Sequence, residues 1–200
     1  MKIESIQRTL ERGITSLKRS LWWYWPASGD NEVAERNVTA HIAHALLRAR
    51  WCVFTEASFP YRADKRIDLL AIQVGRKTML VGECKLLHDG TKAASLASDA
   101  GRLRKFRLSD EHGWRPPISA RYGLLMALTW NPRVSGWWAQ MSTLENHPER
   151  NIGEGWRKLA KTLNSLKANR GVRRLSKYRD KNAKKAYEHW LLYAIFKLPR

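Results

Sequence analysis

Apolar residues fall at Ile3, Ile6, Leu10, Ile14, Leu17 and Leu21, spacings of three and four that predict an amphipathic helix over residues 2–22. The pattern breaks in "LWWYWP", at Pro26 and the following "ASGD". Those aromatics read either as a packing cluster that anchors the helix or as a platform on which bases stack. Asp30 or Asn31 can cap a second helix reaching about Arg50, with Glu35, Val38, Ile42, Ala45 or Leu46, and Ala49 on its inward stripe. Three apolar runs follow, "CVFTEASFP", "KRIDLLAIQV" and "KTMLVGECKLL", each predicted as a strand. After "HDG", residues 91–106 predict a helix with Ala93, Leu96, Ala97, Ala100 and Leu103 on one face. "RYGLLMALTW" predicts a fourth strand, and "NPRVSG" turns into a short helix carrying Trp137 and Trp138. The remainder reads as basic helix, broken near "NRGV" and ending in an amphipathic helix, "KKAYEHWLLYAIFKL". The expected class is α/β, a mixed β-sheet flanked by helices, with a basic helical C-terminal extension. The expected division is residues 1–28, an N-terminal helix and aromatic segment; 29–140, the core; and 141–200, the extension packed on it.

Charge changes the picture. Against 18 acidic residues stand 37 basic ones, a formal charge of +19. Such a surplus repels itself in the folded state and points to a polyanionic partner, nucleic acid first and an anionic membrane surface second. No stretch approaches the length of about 20 apolar residues needed to span a bilayer, and charges at Glu4, Arg8, Glu11 and Arg12 interrupt any signal-peptide core. Cys52 and Cys84 form neither a disulfide framework nor a CxxC pair, so the chain reads as soluble and cytoplasmic. The charge is also uneven. Between Trp156 and Arg200, 14 lysines and arginines face only Asp180 and Glu188, whereas Asp30 to Asp89 holds 8 acidic and 9 basic residues. That division separates a reaction centre from a polyanion grip.

The acidic half contains an anomaly. In "LVGECKL", Glu83 and Lys85 interrupt a run otherwise apolar enough for a buried strand. Side chains two apart share a face, and a buried charge must be paired or used. A two-residue Gly75–Arg76 hairpin loop pairs Val74 with Lys77, and the same register sets Asp68 opposite Glu83, with Lys85 one pleat further. Two carboxylates pushed together repel unless a cation lies between them. Oxygen sites with one or two carboxylates, completed by water and phosphate, suit Mg²⁺. A neighbouring lysine can orient water or stabilise developing negative charge.

Asp68, then Glu83-Cys84-Lys85, set on two strands between a glutamate-bearing helix and a further helix and apolar strand, resembles the PD-(D/E)xK nuclease superfamily over residues 31–130. The chain has Ile67 where the named motif has proline. The resemblance implies a restriction-endonuclease-like fold and a Mg²⁺- or Mn²⁺-dependent endonuclease, on DNA rather than RNA. It implies that Asp68 and Glu83 bind the metal, that Lys85 is the catalytic lysine, and that Glu35 helps position the ion, with Glu32 as the alternative.

Arg102 and Lys105, on the helix after the active-site strand, read as phosphate contacts or as a solvated face. Lys167, Arg170, Arg173, Arg174 and Lys177 read as a grip on the nucleic-acid backbone that does not read bases. His41 and His44 lack the glutamate of an HExxH site and read as ordinary helix histidines; Cys84 reads as a small buried hydrophobe. Two rivals stand beside the nuclease: a non-catalytic nucleic-acid-binding protein on the same fold, and a membrane-surface or partner-binding protein using the N-terminal helix. A homodimer stays open.

Overall fold

A computed structural model describes residues 2–23, 33–59, 62–108, 118–140, 153–179 and 186–199. Helix α1 (Ile3–Trp23) uses its apolar stripe as expected, burying Ile6, Leu10, Ile14, Leu17 and Leu21. Helix α2 (Glu35–Arg48) starts after Ala34, which gives no side-chain cap. The expected caps, Asp30 and Asn31, lie outside the described residues. Strands β1 (Cys52–Phe59), β2 (Arg62–Gln73) and β3 (Thr78–Leu86) form an antiparallel meander. Helix α3 (Gly90–Lys105), capped by the Asp89 side chain accepting from the Lys92 N–H, crosses over to β4 (Ala120–Thr129), which pairs parallel to β3. Helices α4 (Pro132–Gln140) and α5 (Glu154–Ser165) follow, then β5 (Asn169–Arg179) and β6 (Ala186–Lys197). The result is one mixed six-stranded sheet in the order β1-β2-β3-β4-β6-β5. The cores on its two faces are built with α1 and α2 on one side and α3, α4 and α5 on the other.

The last two strands correct the expected basic helical C-terminal extension. β6 lies between β4 and β5, so both its faces are covered. Leu192, Ala194 and Phe196 enter the core beneath α3, while Leu191, Tyr193 and Ile195 enter the one beneath α1. A strand buried on both faces is a continuous apolar run, which periodicity cannot separate from a buried helix. Gly171 in "NRGV" does not break a helix. It lies in β5 under the Tyr193 ring, where a Cβ would collide with the ring carbons, a close approach that glycine in a strand permits.

Two smaller differences concern turns and aromatics. The β2–β3 connection is a 3₁₀ turn, Val74–Arg76, closed by Lys77 at φ 48°, rather than a two-residue loop. It keeps the expected register, since Gln73 pairs with Thr78 and Leu69 with Gly82. Trp22 and Trp23 are exposed, so the packing-cluster reading does not hold for them. At 100° per residue they rotate past the stripe that ends at Leu21. Tyr24 and Trp25 lie outside the described residues. Among those described, no helix is long and apolar enough to cross a membrane.

The strand assignment makes Gly171 a sharp test. Gly171→Ala must displace the buried Tyr193 ring and should destabilise the protein by about 1–3 kcal/mol, as overpacking does. Urea unfolding measures it; an unchanged midpoint would contradict the β5–β6 packing.

Candidate active site

Beyond the Leu69–Gly82 pair the β2–β3 ladder ends, and β2 parts from β3. Ile67 belongs to the α3-side core and Leu69 to the α2-side core. Residues two apart on a regular strand share a face, so the backbone turns at Asp68. On β1, Glu56 stands between the Thr55–Leu69 and Ala57–Ile67 pairs with φ 55°. Left-handed backbone is uncommon for a residue with a side chain and marks local strain.

The parting leaves N–H groups on β3 without a strand partner, and carboxylates take the place of one. Asp68 Oδ2 accepts the Cys84 N–H at 2.6 Å, and Glu35 Oε1 accepts the Leu86 N–H at 2.6 Å. Strand N–H groups point in the sheet plane, so both carboxylates lie along the free edge of β3, roughly 7 Å apart as two residues of strand require. Cys84 itself is fully buried on the α2 side, the small hydrophobe expected. A cleft of about 460 Å³ opens beside the pair, lined by Glu35, Asp68, Glu56, Arg36, Arg66 and Thr39 among others.

Glu83 and Lys85 turn to the α3 side. Glu83 is 1% exposed, and its Oε1 accepts from Arg102 Nη2 at 2.7 Å. Arg102 Nη2 also meets Asp99 Oδ1 at 2.7 Å, and Lys85 Nζ stands 3.9 Å from Asp99 Oδ2. Arg102 is thus turned inward between two carboxylates rather than presented to solvent, while Lys105 is exposed. Burial first, and then the Asp68 charge, push the Glu83 carboxyl up to about 8, against the opposing pull of Arg102 and Lys85. Asp99 is raised too, by burial first, with Arg102 and Lys85 opposing. Asp68 and Glu83 are therefore near enough to feel each other, although one lies in the sheet plane and the other on its α3 face.

Among the described residues no three Asp, Glu, His or Cys side chains gather into a ready metal cage. The donor set nevertheless fits a hard cation that takes one or two carboxylates and fills the rest of its shell with water and phosphate. Asp68 and Glu35 reach the cleft, and the raised Glu83 carboxyl marks local negative charge that the resident cations do not fully offset. Glu32, the alternative to Glu35, lies outside the described residues.

Pattern reading passed over Asp99, Arg36 and Arg66. Asp99 is 5% exposed, but it falls between Leu96 and Ala100 in a helix read for its apolar stripe. Arg36 and Arg66 sit beside Glu35 and two residues before Asp68, a neighbourhood signal that was available. Of the proposed grip, Arg173 is held by Glu11, with Nη2 to Oε1 at 2.7 Å, while Arg174 and Lys177 lie 3.4 and 3.3 Å from Glu188. Arg170 is half-buried, and burial lowers its pKa; Lys167 is exposed at φ 48°. Compared with known proteins, the chain matches no family model, no curated protein and no solved structure.

The raised Glu83 pKa fixes a pH dependence. The native state keeps a proton that the unfolded chain loses above its ordinary value of 4.5. This contribution to stability is complete below that value and is lost as pH rises toward 8. In EDTA, Glu83→Gln should match wild-type Tm near pH 4.5 and exceed it by a growing margin up to pH 8. Parallel Tm curves would show that Glu83 ionises without strain.

Proposed function

We propose that the chain is a metal-dependent endonuclease that hydrolyses phosphodiester bonds of nucleic acid, DNA rather than RNA, on a restriction-endonuclease-like core of the PD-(D/E)xK type. The observation that carries the reading is the convergence of carboxylates from α2, β2 and β3, with Lys85, around one end of β3 beside a cleft. The succession α2–β1–β2–β3–α3–β4 is the order that the resemblance implies, and the charge of +19 suits a polyanion.

In this reading Asp68, Glu83 and Glu35 hold Mg²⁺ or Mn²⁺, which when bound supplies a polarised phosphate and a more acidic water. Lys85 stabilises the charge that develops on the phosphate, and Asp99 fixes the position of its ammonium group. Arg36 and Arg66 give the cleft the positive potential that draws a phosphodiester in. Lys105 and the exposed basic residues of β5 add attraction that is indifferent to sequence.

One observation favours a second reading. Arg102 bonds both Glu83 and Asp99 at 2.7 Å, a closed ion network that can serve as structure alone in a non-catalytic nucleic-acid-binding protein. Cleavage decides between them. Wild type should cut plasmid or single-stranded DNA with Mg²⁺ or Mn²⁺ and stop in EDTA. Lys85→Ala should abolish cutting while binding stays within about twofold, since one cation among 37 adds little to the overall attraction. Asp68→Ala should abolish cutting by losing the ion. DNA binding without cutting under either metal would select the binding module, and activity surviving in both variants would place the chemistry elsewhere.

A further inference from the structure

A second surface on this molecule has the composition of a single-strand binding site. Between the C-terminal end of α1 and β5 lies a groove of about 480 Å³, lined by Lys18, Leu21, Trp22, Arg174, Ser176 and Lys177 among others. Trp22 is 84% exposed and its neighbour Trp23 is 83% exposed. Tryptophan is highly buried on average, and these two add nothing to the core that Leu21 already reaches. Lys18, Arg174 and Lys177 surround the groove, with Glu188 as the acid that Arg174 and Lys177 approach. Both basic side chains stay more than half exposed beside it, so their charge remains available to a polyanion.

The groove lies at the same end of the sheet as the carboxylates. Arg76, in the β2–β3 turn, bonds Ser5 near the start of α1, and Gln73, just before that turn, bonds the Ala49 carbonyl after the end of α2. Both contacts mark the far end of β3. Helix α1 is 21 residues long, about 30 Å, so it carries Trp22 to the end where β3 finishes at Leu86 and α2 begins at Glu35. From β3 to β5 is three strand spacings, roughly 14 Å, a distance that a few nucleotides span.

We infer that this groove binds single-stranded nucleic acid, with bases stacked on Trp22 and Trp23 and phosphates held by Lys18, Arg174 and Lys177. Indole faces accept any base and cations follow the backbone, the combination that binds single strands without reading sequence. Duplex offers no free base face and gains only from the charges. The inference deepens the nuclease reading by naming an unpaired strand as its substrate, yet binding here needs no cleavage.

The test is fluorescence anisotropy in EDTA with a labelled oligothymidylate and, separately, a duplex of the same length. The double variant Trp22→Ala/Trp23→Ala should weaken oligothymidylate binding by roughly tenfold for each stacked base lost, with duplex affinity within about twofold. Trp22→Phe/Trp23→Phe should restore much of the loss, which a misfolded variant would not. Lys18→Ala/Lys177→Ala should weaken both ligands and flatten their salt dependence. Equal loss for strand and duplex, or no loss from the alanine pair, would overturn the inference. So would loss of binding to phosphatidylserine vesicles with oligonucleotide binding intact, which would assign the surface to a membrane. Strand binding without cutting would sink the nuclease reading alone.

Discussion

Backbone N–H groups inside a protein must find acceptors, and at the end of β3 no strand supplies them. The Cys84 and Leu86 N–H groups are met by Asp68 and Glu35 instead. That substitution ties three elements together. It fixes where α2 begins against the sheet and requires β2 to swing away at Asp68. It also accounts for strain on β1, where Glu56 adopts a left-handed backbone facing the swing. A strand in the same place would have closed the sheet and left no cleft.

The electrostatics on the other face follow from the same parting. Glu83 is buried with Arg102, Asp99 and Lys85, so the α3 side holds two cations against two carboxylates, and Asp68 adds a third negative charge across the strand. In a chain of charge +19, this is a pocket of negative excess. Burial makes that excess costly, so the arrangement is unfavourable as pure structure and becomes reasonable where a cation is shared. Arg102 fills part of that role from within the protein, and a metal ion would compete with it for Glu83.

Much of this was legible because it rests on period and register. The stripes of α1 and α3 and the Asp68–Glu83 register follow from side-chain spacing, and the register survived a different turn because Lys77 tolerates a left-handed backbone. What stayed hidden depends on neighbours distant in sequence. β6 reads as a helix until β4 and β5 cover both its faces. Arg102 looks like a solvent-facing cation until Glu83 and Asp99 are brought beneath it, and Asp99 hides in an apolar stripe. No local pattern reveals that Asp68 turns into the sheet plane, since that follows from where the ladder stops.

The shared-cation account is tested most directly by titrating Mn²⁺ into nucleic-acid-free protein and following the ion by electron paramagnetic resonance. The account predicts a bound Mn²⁺ population that disappears in Asp68→Ala, weakens in Glu83→Gln, and persists in Lys85→Ala. No bound ion in the wild type, or equal binding in Asp68→Ala, would mean that Arg102 and Lys85 are the only cations this site was built to hold.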